Sequence, residues 1–97
     1  MRQAELDKAV VDARKMLDPR EVRRIRPTIG SNANGEPSIF FLILLTAFAI
    51  HPSRFASVTE RISTTLVDQL QPYNQWGLLP YFNFTSDPAH FRDPGFM

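Results

Sequence analysis

The side chains best suited to acid–base work near neutral pH are two histidines, His51 and His90. His51 precedes Pro52 at the end of the apolar stretch "SIFFLILLTAFAI", with no carboxylate close in sequence. That setting reads as a loop histidine closing a strand. His90 lies in "SDPAHFRDP", where Asp87, His90 and Asp93 stand three apart and could offer oxygen and nitrogen ligands to a metal. A stable metal site needs three or four ligands on a rigid frame, each held by further hydrogen bonds. A proline-rich segment supplies no such frame, so no metal is expected.

Nucleophilic catalysis fares no better. Serine and threonine are plentiful, but none lies in a G-x-S-x-G elbow or beside a histidine, and there is no cysteine. The segment "GSNANGEP" has two glycines but neither the spacing nor the lysine of a phosphate-binding loop. Asn83-Phe84-Thr85 matches a glycosylation sequon, which matters only in a secreted chain. No catalytic, cofactor-binding or metal-ligating residue is expected, and the chain reads as a non-enzyme.

The strongest charged signal is a basic cluster, Arg14, Lys15, Arg20, Arg23, Arg24 and Arg26, interrupted by Asp18 and Glu21. Guanidinium groups pair with phosphates in a bidentate way, so Arg20, Arg23, Arg24 and Arg26 are the candidate contacts to a nucleic acid. Residues 1–27 carry eight basic and five acidic side chains and residues 28–97 carry three and five, so the net charge is only +1. The pI of about 8.2 lies below the values above 9 usual for dedicated nucleic-acid domains. Arginines on an edge strand also discourage edge-to-edge aggregation without any ligand.

These residues must be positioned by a small set of elements. Leu6, Val10, Ala13 and Leu17 recur at spacings of four, three and four, which predicts an amphipathic helix over 4–17, with Ala9 and Met16 widening the stripe and Asp18-Pro19 ending it. In "REVRRIRPTI", Ile25, Pro27 and Ile29 alternate with Arg24, Arg26 and Thr28. This predicts a half-buried strand that is irregular at Val22 and, because of Pro27, lies at a sheet edge. Residues 30–37 read as a hairpin loop turning at Asn34-Gly35, and residues 38–47 as a second strand. Phe55, Val58, Ile62, Leu66 and Leu70 predict a helix over 53–71, whose main body starts at Val58 if Ser57 and Glu60 form a capping box, and which Pro72 stops. "YNQWGLL" reads as a turn and residues 78–85 as a third strand, with Phe82 and Phe84 on one side and Tyr81 and Asn83 on the other.

The 97 residues make one core. The expectation is a single domain over 1–86 followed by an irregular tail over 87–97. Its class is α+β: a two-layer sandwich in the order α-β-β-α-β, with a three-stranded mixed sheet and both helices on one face. The hydrophobic content of 43% with 22% charged residues belongs to a folded protein. From Ile39 to Ile50 the run is shorter than the roughly 20 residues of a membrane-spanning helix, so no membrane association is expected. With no signal-peptide pattern at the start and no cysteine, a cytoplasmic location is expected.

In such a sandwich a central strand should be polar on the side without helices. Here Phe40, Leu42 and Leu44 line one side, and Ile39, Phe41, Ile43 and Leu45 the other. Exposing either set would forfeit several kcal/mol at roughly 25 cal/mol per Å2. The second set is taken as the outer face, to be covered by the tail (Phe91, Phe96, Met97), a second copy or another protein. Ile39, Phe41, Ile43, Leu45 and Trp76 are therefore the expected interface of a protein-interaction module, a homodimer or small accessory subunit. The alternative is an RNA- or ribosome-associated domain using the arginines. In topology alone the element order resembles the type II KH arrangement. "QPYNQWG" has a single Gly77 and no G-x-x-G loop, so that resemblance assigns RNA binding to no residue. The order also resembles a ferredoxin-like fold without its first strand.

Overall fold

The structure is a computed structural model that describes residues 2–91. Its elements are α1 (Arg2–Arg14), β1 (Val22–Ser31), β2 (Pro37–Leu45), α2 (Phe55–Leu70), α3 (Pro72–Trp76), β3 (Leu79–Thr85) and a short 3-10 turn (Pro88–Phe91). The strands form one mixed sheet in the order β1-β2-β3, antiparallel between β1 and β2 and parallel between β2 and β3. This is the α+β sandwich expected from the residue pattern.

Local chemistry explains where elements begin and end. The peptide N–H groups of Met16 and Leu17 reach back only three residues, to Ala13 and Arg14, so α1 unwinds after Arg14, earlier than its apolar stripe suggests. The irregular start of β1 is a register shift between Val22 and Arg24. At the hairpin, Asn32 Oδ1 accepts from the peptide N–H groups of Asn34 and Glu36, both at 2.9 Å. Gly35 takes a φ of 80°, a left-handed conformation that glycine tolerates. The loop shortens to residues 32–36 because pairing continues to Ser31 opposite Pro37.

β2 stops at Thr46, whose hydroxyl donates to the Arg20 carbonyl and also accepts from Ala49 N–H. The expected capping box at Ser57 and Glu60 does not form. The turn at His51 already feeds the helix, through Arg54 and Phe55 N–H to the His51 carbonyl, and Arg54 is the N-cap. Ser57 then lies inside the first turn and donates to the Arg54 carbonyl at 3.1 Å. The segment expected as a turn after Pro72 winds into the five-residue α3. Proline at its first position and Gly77 at φ 68° after its last supply the usual start and stop signals.

α1 and α2 pack against each other and on one side of the sheet, burying Leu6, Val10 and Ala13 together with Val58, Ile62 and Leu66. The strand residues that meet them are Ile39, Phe41, Ile43 and Leu45, all within 2% of full burial. The expected interface set is thus corrected: these four are the core, and the outward residues of β2 are Phe40, Leu42 and Leu44. The register decides the matter. Ile25 pairs with Ile43 and Ile29 with Ile39, while Phe84 and Phe82 lie opposite Ile43 and Phe41. The apolar rows of all three strands therefore share the helix side. Phe41 stacks on Phe82, ring centres 5.1 Å apart.

One charged pair joins the layers. Glu21 is buried, and its carboxylate accepts a hydrogen bond from the Arg61 guanidinium on α2. That contact raises the Arg61 pKa above its usual value. The interaction ties the turn before β1 to α2.

Candidate functional site

The face of the sheet away from the helices is a grid of three rows: Arg24, Leu44 and Thr85; Arg26, Leu42 and Asn83; Thr28, Phe40 and Tyr81. Cross-strand partners in register stand side by side, so each row is a line of adjacent side chains. Arg24, Thr28, Tyr81 and Asn83 are exposed, while Phe40 and Leu42 are half-buried. Leu44 differs from them, at 1% exposed. The 3-10 turn Pro88–Phe91 follows the end of β3, where Thr85 meets Leu44, and lies against β2.

Phe40 and Tyr81 form a stacked pair with ring centres 5.4 Å apart and planes 18° from parallel. Asn32 fixes the outer end of that pair: its amide donates to the Tyr81 hydroxyl at 3.0 Å and to a Glu36 carboxylate oxygen at 3.0 Å. The hairpin loop therefore holds Tyr81 across the central strand. The face combines an apolar spine, an aromatic stack and a flanking pair of arginines.

The four candidate nucleic-acid contacts do not form one stripe. Arg24 and Arg26 lie on the outward grid and both have interaction partners. Arg23 precedes them as the unpaired residue of the register shift at the start of β1, outside the grid, and its carbonyl accepts from Arg14. Arg20 precedes the strand and is bound to Asp18, with Arg20 Nη2 3.0 Å from the carboxylate. Hydrogen bonds from the Arg20 side chain, and then from its peptide N–H, hold the Asp18 carboxyl below its usual value. Arg20 also lies 5.8 Å from the ring centre of Phe48, which Arg54 covers more closely at 3.9 Å. Arg54 additionally donates to the Phe48 carbonyl at 2.8 Å, so this arginine fastens the loop between β2 and α2.

Trp76 is not on the outward face. It packs partly buried against the helix-side core at the end of α3, which corrects its assignment to the same interface as the outer sheet. His51 serves its loop, with Nδ1 2.8 Å from the Ser53 hydroxyl and 3.2 Å from Ser53 N–H. Among the described residues, no three His, Cys, Asp or Glu side chains gather where they could hold a metal. Asp93 lies outside the described residues, as do Phe96 and Met97 of the expected tail lid. No helix among the described residues is long and apolar enough to cross a membrane.

Sequence reasoning missed Phe40 and Leu42 as the outward pair and Asn32 as the residue that seats Tyr81. A signal for the first was present: the arginines of β1 alternate with its isoleucines, so residues paired with the arginines must face away from the core. No protein-family model, curated protein or solved structure matches this chain.

Proposed function

We propose that this chain is a protein-interaction module that assembles as a homodimer through the outward face of its sheet. The observation that carries the reading is the apolar spine of β2 on the side without helices, where a solvated strand would be polar. Phe40 and Leu42 remain partly open there, framed by Arg26, Asn83 and Tyr81. A central apolar patch with an aromatic and arginines at its border has the make-up of a protein contact. The reading involves no catalysis and no cofactor, and a chain without cysteine suits a cytoplasmic setting. The test is the solution mass of the full chain and of Leu42→Arg by light scattering. A dimer that Leu42→Arg converts to a folded monomer supports the reading, and a parent chain that is monomeric at high concentration overturns it.

A second reading has its own observation, the Phe40–Tyr81 stack beside Arg26 and Arg24 on an open sheet. Aromatics and arginines on a sheet face are how single-stranded RNA is held by modules that stack bases. Arg24→Glu with Arg26→Glu would then abolish salt-sensitive RNA binding while the fold survives. RNA binding that is absent in the parent chain, or unchanged in the double variant, removes this reading.

A further inference from the structure

A second surface lies on the helix layer and does not depend on the sheet-face reading. Glu5, Ala9, Asp12 and Ala13 of α1, with Met16 in the turn just past its end, form one wall of an open groove of about 590 Å3. The opposite wall is the end of α2 and α3, with Trp76. Two residues of this wall are alanines, Ala9 between the carboxylates and Ala13 just after them, and their short side chains leave space toward α3. Trp76 is placed by the short helix that Pro72 opens and Gly77 closes.

The chemistry of the walls selects a ligand. Met16 and Trp76 offer apolar surface, while Glu5 and Asp12 offer negative charge, and no lysine or arginine among the described residues lines the groove. Lys15 stands 3.7 Å from Asp12 in an exposed contact of the kind worth little. Lysine and arginine lay their stems along apolar surface and favour the face of tryptophan over other rings. Glu5 and Asp12 are seven residues apart on a helix, about 10 Å along its axis. A polyproline II segment rises about 3.1 Å per residue with three residues per turn, so side chains three apart share a face and stand about 9 Å apart.

We infer that the groove between α1 and α3 receives a basic segment of a partner protein in the polyproline II conformation, with two cationic residues three apart meeting Glu5 and Asp12 and an apolar residue between them resting on Trp76. Trp76 is the single tryptophan of the chain, so its emission reports on the groove alone. The probe is a capped Arg-Ala-Leu-Arg peptide titrated into the full chain, with Glu-Ala-Leu-Glu as the control. The expected result is a saturable shift of the Trp76 emission with the basic peptide only. It should weaken about tenfold in a Glu5→Gln, Asp12→Asn double variant whose circular dichroism and melting temperature match the parent. A response to both peptides, equal binding by the double variant, or no shift in the parent chain overturns the inference. Should the double variant melt early, Lys15→Glu is the second test, because adding a carboxylate at the rim must tighten the basic peptide.

Discussion

Phe41 and Phe40 are adjacent residues of β2, yet their surroundings share almost nothing. Phe41 is fully buried under the helices and stacks on Phe82. Phe40 is half-buried beside Thr28 and stacks on Tyr81, which is itself 41% exposed. The inner face has two helices to cover it. The outer has no helix over it and, toward Phe40, polar neighbours on both sides among the described residues. The comparison shows that an apolar residue in a strand earns its role from what pairs with it and what lies above it.

The largest effect should come from the inner face. Phe41→Ala is expected to cost about 3–5 kcal/mol, and Leu66→Ala on the helix above it about 2–5 kcal/mol. Either would remove a large share of a total stability on the order of 5–10 kcal/mol. Phe40→Ala should cost roughly half as much or less, since a half-buried ring loses less transfer energy. Chemical denaturation of the pair measures the difference, and equal losses would erase the distinction between the faces.

Leu44 divides the outer face in two. If its burial stabilises as core burial does, Leu44→Ala should cost about 2–4 kcal/mol and Leu42→Ala about 1 kcal/mol, read from the same denaturation curves. Matching small losses would mean that Leu44 is shielded without being packed.

Arg61→Met should cost about 1–3 kcal/mol, because it leaves the buried Glu21 carboxylate without its cation. The partner is itself half-exposed, which keeps the loss below that of a fully buried pair. Adding Glu21→Leu should recover part of it in a double-mutant cycle.

The smallest effect belongs to Asp18. Its carboxyl is held below the usual value by Arg20, so the folded state binds that proton less readily than the unfolded chain. The sign follows: its contribution is present above about pH 4 and disappears as the pH falls through the lowered folded value. The carboxylate is half-buried but its partner Arg20 is exposed, so the melting temperature should barely register the pair. A carbon-detected titration of Asp18 in the parent and in Arg20→Ala tests it directly, and the midpoint should rise in the variant.

Much of this was decided along the chain. The alternation of Ile25, Pro27 and Ile29 with Arg24, Arg26 and Thr28, the 3–4 spacing from Val58 to Leu70, and the turn residues around Asn34-Gly35 were enough to specify two helices, three strands, their order and the side on which β1 and β3 are apolar. The period of a side-chain pattern is a local property, and local sequence carries it. The orientation of β2 was not there to read, because both of its sides are apolar and a shift of one residue exchanges them. The pairing of Ile25 with Ile43, set by a five-residue hairpin loop, turned Ile39, Phe41, Ile43 and Leu45 toward the helices and left Phe40, Leu42 and Leu44 outside. Register is a relation between strands, so only the tertiary structure could decide it.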